Sequence, residues 1–414
     1  MKKRQLYLFL IGIILSACSS GRTLPIVQTY TSLPSKPYQS QLTNECLDIK
    51  SGFPVDLHSR DVLVLASETS PHTYLRDMTN GSTIELASAG SLRSGMFVSP
   101  DGKWLAFEEP YPNLGNFTIV GSDGDNVKRL HENGLQLIDW LNNQQLVFRI
   151  PVYIPTSDAN PVLGNEDMTV FPSFLVLNPF TGNQQTLPPN FPDLGFPEKV
   201  LSWGPWNGLV YSPNMEYAMY RSEKGLSLRN LSDGHVFTFS EFGNTDAFPN
   251  WSPDGSRLVF SNNISQNSEI YEIDLKGNVT QLTNLSAFFP NDFIPPVMSW
   301  SPDGVHIAFW LQIPSGDPSS ATSGQALSRP LLAVLDTKTG LVENYCLAVT
   351  SWNTTSFPPG PIWSPDGTQI ILEGSNIQDP DKSTSQLIVV DFIHRVAIQV
   401  GENLIPLGWM IEAP

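Results

Sequence analysis

The sequence is poor in basic side chains. Lysine and arginine together number 23, against 40 aspartates and glutamates, so the formal net charge is −17. A chain this acidic repels nucleic acid and anionic lipid head groups. We therefore expect no nucleic-acid partner, whatever fold the chain adopts.

Metal-ligand and nucleophile motifs are also missing. Six histidines occur, no two of them have the His-x-x-x-His spacing, and no cysteine lies at a zinc-ligand spacing from one. No Gly-x-Ser-x-Gly sequence is present, which excludes the nucleophile elbow of an α/β-hydrolase. We predict no metal site and no other cofactor, and a non-catalytic role is favoured over an enzymatic one.

The N-terminus lacks an apolar run long enough for a membrane span. Residues 6–17 are about a dozen apolar positions, whereas a spanning helix needs roughly 20. Together with the basic residues 2–4, this run has the form of a secretory signal. The sequence Leu-Ser-Ala-Cys that ends at Cys18 resembles a bacterial lipobox, which implies that residues 1–17 are removed and that Cys18 carries the lipid. The alternative is a plain signal peptide with an incidental cysteine.

The segment that follows is low in apolar residues. Residues 18–43 are rich in Ser, Thr, Pro and Gln, so we predict a lipidated cysteine and a flexible tether, followed by a folded domain over 44–414. The expected location is the bacterial cell envelope, on the extracytoplasmic side of a membrane. In such an oxidising compartment, Cys46 and Cys346 are a candidate disulfide, with two buried thiols as the alternative.

One short sequence recurs along the domain. Trp-Ser-Pro-Asp-Gly occurs at 251–255, 300–304 and 363–367, and a looser copy ends at Gly102. Proline presets the second turn position, aspartate can bond its own backbone, and glycine accepts the positive φ at the exit. Alternating apolar residues follow each copy, which predicts a tight turn between two antiparallel strands.

Two independent counts of the repeat agree. Second strands begin near 62, 104, 145, 216, 257, 306 and 369, and seven third strands each end near an Asp or Asn. Four strands per unit at a period of roughly 41 residues are typical of a β-propeller. We predict an all-β fold, a seven-bladed propeller of four-stranded antiparallel sheets, with six or eight blades as alternatives. The first unit lacks an innermost strand, so residues 403–410 are expected to complete it and close the ring.

These repeats, with their "LVF" or "IAF" strands and Asp-x-x-x-Gly hairpins, resemble the TolB-like branch of WD40-type propellers over about residues 60–410. The resemblance implies the propeller fold. We do not transfer the role of TolB itself to this chain, because the sequence has no helical N-terminal domain, indicates seven blades and carries a lipobox. The sequence looks more like uncharacterised bacterial lipoproteins with a tethered propeller.

Two long insertions, 151–172 and 311–330, both connect a second strand to a third strand. They should therefore emerge on one face of the ring, together with the loops that join consecutive blades. We predict that this insertion face binds a protein, peptide or cell-wall glycan ligand, and that the protein is a monomer. The candidate ligand-binding residues are Tyr153, Asp158, Glu166, Asp167, Phe171, Asp246, Phe289, Asp292 and Trp352.

Carboxylates support a different hypothesis. The aspartates of the repeated turns could bind cations as a ring, but the turn itself explains them, and we favour that interpretation. Acidic residues near the insertion face could instead serve a glycan hydrolase or lyase, which needs a carboxylate pair about 5–9 Å apart. This enzyme remains the alternative to the binding scaffold.

Overall fold

The computed structural model describes most of the domain but not every loop. The described residues are 27–30, 41–51, 61–67, 72–88, 96–109, 115–124, 128–132, 135–150, 173–187, 209–222, 224–242, 249–264, 267–288, 297–311, 330–349, 360–376 and 386–411. Within these ranges the helical structure is limited to two single 3₁₀ turns, Ser240–Phe242 and Leu285–Ala287. None of the helices in the described part has the length and apolar character needed to cross a bilayer.

Strands make up the regular structure of the described residues. In chain order they are β1 Val27–Tyr30, β2 Gln41–Asn44, β3 Ile49–Ser51, β4 Asp61–Ser67, β5 His72–Asp77, β6 Thr83–Ser88, β7 Met96–Val98, β8 Trp104–Glu108, β9 Asn116–Gly121, β10 Lys128–His131, β11 Gln136–Asn142, β12 Gln145–Ile150, β13 Ser173–Leu177, β14 Gln184–Leu187, β15 Leu209–Tyr211, β16 Tyr217–Ser222, β17 Gly225–Asn230, β18 Val236–Phe239, β19 Asn250–Trp251, β20 Arg257–Ile264, β21 Asn267–Asp274, β22 Val279–Gln281, β23 Met298–Trp300, β24 His306–Leu311, β25 Leu331–Asp336, β26 Leu341–Val349, β27 Ile362–Trp363, β28 Gln369–Asn376, β29 Gln386–Asp391, β30 Val396–Glu402 and β31 Leu404–Ile411.

Most strands belong to four-stranded antiparallel sheets. Consecutive strands pair in the order β7–β10, β11–β14 and β19–β22, and a further sheet has the order β31-β4-β5-β6. The antiparallel run β15–β18 is extended to five strands by β1, which is parallel to β18. The remaining sheet has ten strands, because β26 pairs with both β25 and β28 and so joins the runs β23–β26 and β27–β30. The predicted all-β fold of four-stranded antiparallel sheets is therefore confirmed.

The core lies between the faces of neighbouring sheets. Side chains from both faces of a strand are buried, because each sheet packs against one neighbour on either side; in β24, five consecutive residues are fully enclosed. A hydrophobic cluster fills each space between consecutive sheets along the chain. A last cluster joins Leu63 and Trp409 to Ile371 and Val389, so the final sheet packs against the first. The sheets therefore close into a ring.

Ring closure uses the C-terminal strand, as the sequence predicts. β31 is antiparallel to β4, with Leu404 opposite Ser67 and Ile411 opposite Asp61. β31 thereby takes the innermost place in a sheet whose other three strands come from the start of the domain. Both ends of the domain are tied into one sheet, and no innermost edge is left unpaired there.

The segment 18–43, expected to be a tether, contains β1 and most of β2, and β3 follows it. β1 pairs in parallel with β18, β2 with β26, and β3 with β30. Each therefore adds to the outermost strand of a sheet, where free N–H and C=O groups are available for pairing. The structure differs here from the flexible tether expected over 18–43. The reason is that backbone pairing at an edge needs little apolar side chain.

A disulfide fixes this N-terminal segment where β26 passes from pairing with β25 to pairing with β28. Cys46 is bonded to Cys346, with their Cα atoms 4.8 Å apart. Cys346 has a φ of 58°, which turns β26 from β25 towards β28. The amide of Leu47 donates to the carbonyl of Tyr345, and Arg395 forms an ion pair with Glu45 at 2.7 Å. Residues 41–51 thus pair with the last strand of both antiparallel runs, β23–β26 and β27–β30.

Candidate functional site

The four Ser-Pro-Asp-Gly turns share one hydrogen-bond pattern. In the turn at 252–255, the Ser252 hydroxyl donates to Asp254 Oδ1 at 2.6 Å and accepts the amide of Arg257 at 3.0 Å. The carboxylate of Asp254 also accepts the amide of Ser256. The same bonds recur in the other three copies, at Ser99, Ser301 and Ser364. The serines are buried, so each turn is fixed by its own side chains.

This pattern accounts for the aspartates. Burial alone would raise the pKa of Asp254, Asp303 and Asp366, but hydrogen bonds from the turn serine and from the backbone outweigh it and lower the pKa. The carboxylates are therefore held ionised as acceptors within their own turns. The structure supports turn chemistry as the reason for these residues.

The turns lie side by side at one end of the ring, which we call the turn face. A Cβ atom placed on Gly367 would lie 3.5 Å from Pro302 Cδ of the preceding turn. One placed on Gly102 would lie 3.1 Å from Pro365 Cγ and 2.8 Å from a side-chain carbon of Ile411. Proline of one turn therefore packs on glycine of a later turn around the ring.

Indole groups connect the innermost strands near this face. Four tryptophans donate their Nε1 hydrogen to a backbone oxygen on the innermost strand of the preceding sheet. They are Trp140 to Phe97, Trp251 to Val210, Trp300 to Asn250 and Trp363 to Ser299, at 2.9–3.2 Å. Trp409 occupies the same place in the sheet that closes the ring and is 3% exposed. Its Nε1 atom finds no acceptor in hydrogen-bond geometry among the described residues.

A cavity of about 260 Å³ lies where the turns and innermost strands of the sheets β7–β10 and β31-β4-β5-β6 meet those of the ten-stranded sheet. Prolines and tryptophans form much of its wall, and none of the lining residues is ionisable. Its lining residues are Val98, Ser99, Pro100, Gly102, Pro302, Ile362, Trp363, Pro365, Leu407, Gly408 and Trp409.

Asp61 is a buried carboxyl group near the indole of Trp409, and it does not line the cavity. It begins β4 and is 6% exposed. Burial raises its pKa to about 6, the nearby indole of Trp409 lowers it by a smaller amount, and the negative charge of Asp366 adds to the rise. The indole is thus close enough to stabilise the charge, although the two groups are not in hydrogen-bond geometry.

The ligand-binding residues predicted from sequence lie outside the described residues. This applies to Tyr153, Asp158, Glu166, Asp167, Phe171, Asp246, Phe289, Asp292 and Trp352, and to Cys18. In the part of the chain that is described, histidine, cysteine and acidic residues do not form any group of three or more that could hold a metal ion. The structure therefore does not test whether these candidate residues lie close together.

Sequence reasoning missed the turn-face cavity. The repeated tryptophans were visible as a motif, but their sequence does not show which indole lacks an acceptor. Trp409 comes from the C-terminal strand, whereas the other four belong to strands that precede their pairing partners in the chain.

Comparisons with known proteins agree with the fold. No protein-family model matches the chain, and no curated protein sequence matches it significantly. Oligogalacturonate lyase from Vibrio parahaemolyticus has a similar structure, with a TM-score of 0.51 at 13% identity over 84% of this chain and 97% of that one. TolB from Acinetobacter baumannii gives a TM-score of 0.40 at 14% identity over 86% of this chain and 67% of that one. This chain has a β-propeller fold. At these identities the likeness shows the fold alone.

Proposed function

We propose that this protein is a membrane-tethered binding propeller of the bacterial cell envelope. It takes a protein, peptide or cell-wall ligand at the insertion face, opposite the turn face. The observation that carries the proposal is where the strands on either side of each insertion end and begin. Ile150 is opposite Ser173, and Leu311 is opposite Leu331, each at the end of its sheet away from the turns. Both insertions therefore leave the ring on one side, and loops of this length in compact domains commonly carry function.

The proposed ring has seven blades. The ten-stranded sheet counts as two of them, because β23–β26 and β27–β30 are each a complete run of four antiparallel strands. Three residue pairs, from Leu347–Asn376 to Val349–Gly374, join β26 to β28. Gly374 permits this contact, since a Cβ there would lie 2.5 Å from the carbonyl oxygen of Ala348. With the other five sheets, this division gives seven.

The proposed anchor is a lipid on Cys18. β1 begins at Val27 and is paired with β18, so eight residues separate the lipidated cysteine from the ring. At roughly 3.3–3.6 Å per residue, they span at most about 30 Å. The rim of the sheet β15–β18 is then held close to the bilayer, and the insertion face stays accessible from the envelope space.

Deleting one insertion tests the ligand face. The wild-type chain and a variant with 151–172 replaced by a short Gly-Ser turn would each be crosslinked in the envelope of the producing cell. We expect the deletion to abolish the crosslinked ligand, while the turn-face control Asp254→Asn keeps it. The same ligand on both variants, with both correctly folded by circular dichroism, would contradict binding at the insertion face.

Lipidation needs a separate test. Replacing Cys18 with Ala should release the protein from the membrane fraction, whereas the neighbouring change Ser20→Ala should not. Intact-mass measurement of the wild type should show the added diacylglyceryl group on a chain that begins at Cys18. A membrane-bound C18A variant, or an unmodified mature cysteine, would refute the anchor and would leave the ligand-face test unaffected.

A further inference from the structure

A second cavity, of about 190 Å³, lies where the sheets β31-β4-β5-β6 and β7–β10 meet. A Cβ atom placed on Gly124, in the hairpin after β9, would lie 3.3 Å from Ile84 Cγ2, so this hairpin and β6 are in contact. Val62 lies at the same end of its sheet as Ile411, whose amide donates to the carbonyl of Gly102 in a turn. The cavity is therefore at the turn face, away from the insertion face. Its lining residues are Val62, Leu75, Asp77, Ser82, Ile84, Ser122 and Asp123.

The lining of this cavity combines acidic and apolar side chains. Asp77 and Asp123 are its acidic members, and none of its lining residues is basic. Val62 and Leu75 belong to the hydrophobic cluster between the two sheets, whereas Ile84 is 44% exposed, so the cavity can be reached from solvent. The chain is strongly acidic overall, and its field attracts cations. The ligand class that matches this lining is a cation with an apolar stem.

Acceptors for the N–H groups of a ligand are available here. Ser122 is 5% exposed, and its hydroxyl has no hydrogen-bond partner among the described residues. An unpaired buried hydroxyl is unfavourable, so its presence in a native fold calls for a further partner. Asp77 Oδ1 accepts the amide of Thr79 at 2.7 Å and Oδ2 accepts the side-chain amide of Asn80 at 2.6 Å. A carboxylate has about four acceptor sites, so Asp77 has capacity left for a ligand.

An ammonium group matches these acceptors, because it has three N–H donors and no acceptor. Asp77, Asp123 and Ser122 supply one acceptor group each, and the methylene groups behind the ammonium would pack on Val62 and Leu75. At about 30 Å³ per water molecule in the liquid, 190 Å³ corresponds to roughly six waters, which is enough for the ammonium end of an alkyl chain. From these observations we infer that the cavity binds the ammonium group of a lysine side chain from a partner protein.

Two other cations fit the cavity less well. Ca²⁺ takes about six to eight oxygen ligands, and histidine, cysteine and acidic residues form no group of three for a metal ion in the described part of the chain. An arginine side chain binds a carboxylate best through two parallel hydrogen bonds, but both oxygens of Asp77 already accept bonds within their hairpin. Lysine is a point charge and needs no such geometry. β6 is the outermost strand of its sheet, so a partner chain can approach beside it.

Methyl NMR on the full chain tests this inference. The δ1 methyl resonance of Ile84 would be recorded with ¹³C-labelled isoleucine and assigned with Ile84→Val. The probes are the peptide acetyl-Gly-Lys-Gly-amide and n-butylammonium chloride, each up to about 50 mM at constant ionic strength, because one small cation should bind in the millimolar range. n-Butanol is the uncharged analogue of the second probe. We expect both cations to shift the Ile84 resonance saturably and n-butanol to leave it unchanged.

Two variants separate ligand binding from folding. Ser122→Ala removes a hydroxyl that has no partner among the described residues, so it should keep the wild-type stability and weaken binding of the lysine peptide about threefold or more. Asp77→Asn removes one charge and should weaken binding about fivefold or more. The matched control is Asp274→Asn, because Asp274 accepts the same kind of bonds from Lys276 and Asn278 in another hairpin and does not line the cavity. This control should bind the peptide like the wild type.

Several results would overturn the inference. Neither cation shifts the Ile84 resonance, or n-butanol shifts it as much as n-butylammonium does. CaCl₂, run in parallel, shifts the resonance while the ammonium probes do not, which would make the cavity a metal site. n-Butylammonium binds and the lysine peptide does not, which would exclude a lysine of a partner protein. The affinity for the peptide is unchanged in Ser122→Ala or in Asp77→Asn, or it falls equally in Asp274→Asn.

Discussion

The indole Nε1 of Trp300 donates a hydrogen bond to the backbone oxygen of Asn250, 3.1 Å away on the innermost strand of the preceding sheet. The side-chain amide of Asn250 in turn donates to the carbonyl of Met298 at 2.6 Å, on the strand that carries Trp300. Two adjacent sheets are thus linked in both directions near the axis. Short-range links of this kind explain why one residue motif is repeated around the ring.

The indole hydrogen bonds predict that Trp→Phe lowers the free energy of unfolding by different amounts at different positions. Trp→Phe keeps an aromatic ring and removes the N–H, so the loss at position 300 includes one hydrogen bond of about 1 kcal/mol. At position 409 the N–H lies near the Asp61 carboxyl but outside good hydrogen-bond geometry, so the loss there is smaller. We expect Trp300→Phe to lower the free energy of unfolding by about 1 kcal/mol more than Trp409→Phe, measured by urea denaturation. Equal losses would contradict the hydrogen-bond pattern.

The backbone conformation of Met215 predicts that its replacement by glycine is favourable for stability. It stands where the four regular turns have glycine, and its φ is 57°. A left-handed conformation costs a non-glycine residue roughly 1–2 kcal/mol. Met215→Gly should therefore be more stable than the matched control Met215→Ala by about 1 kcal/mol in urea denaturation, although glycine usually stabilises less than alanine. An alanine variant equal to or above the glycine variant would show that the turn is not strained.

The disulfide predicts a large effect on stability and on local exchange. A bridge across 300 residues stabilises by up to about 5 kcal/mol in the chain-entropy description. We expect Cys46→Ser to lower the denaturation midpoint and to speed hydrogen exchange at the amides of Glu45 and Leu47, which bond to β26. Peptide mapping without reduction should recover Cys46 joined to Cys346. Free thiols on both residues would contradict this pairing.

Two aspartates on the turn face predict opposite pH effects. The folded pKa of Asp61 is about 6, above its unfolded value of 3.8, so the folded state binds more protons between these values and loses stability as the pH rises through that window. Two pKa units correspond to roughly 3 kcal/mol as an upper limit. Asp61→Asn should therefore stabilise the protein at pH 8 and have little effect near pH 4.

Asp366 is the matched control for this pH dependence. Its folded pKa is lowered, so its contribution is present above the unfolded value and is lost as the pH falls through the folded pKa. Asp366→Asn should then destabilise the protein at pH 8. Urea midpoints for both variants at pH 4 and pH 8 check the two signs, and a loss of stability at pH 8 in Asp61→Asn would refute the burial of that carboxyl.

Repetition made much of the fold predictable. The strands that follow the turns, β8, β20, β24 and β28, begin at 104, 257, 306 and 369, as the Ser-Pro-Asp-Gly motif indicates. β1 and β2 escaped prediction, because they pair in parallel at sheet edges through backbone groups that leave no alternating pattern. The contact of β26 with β28 also has no sequence signal beyond Gly374, whose place in that contact only the structure shows.

The candidate site was less accessible to sequence reasoning. Long insertions and aromatic loops are visible in a sequence, so attention fell on the insertion face. The cavity on the turn face arises from residues that are distant along the chain, such as Pro100 and Trp409. Their proximity depends on ring closure, which no local motif encodes.

A directed disulfide across the closing strands tests the ring most directly. Ser67 and Leu404 are directly opposite in the β4–β31 pair, where Cβ atoms lie about 4.5–5.5 Å apart. Ser67→Cys combined with Leu404→Cys should form an intramolecular bond under mild oxidation and raise the melting temperature. The control pair Ser67→Cys with Ile405→Cys, shifted by one residue to the other face, should not form that bond. A bond in the control pair, or none in the first pair, would contradict a propeller closed by its C-terminal strand.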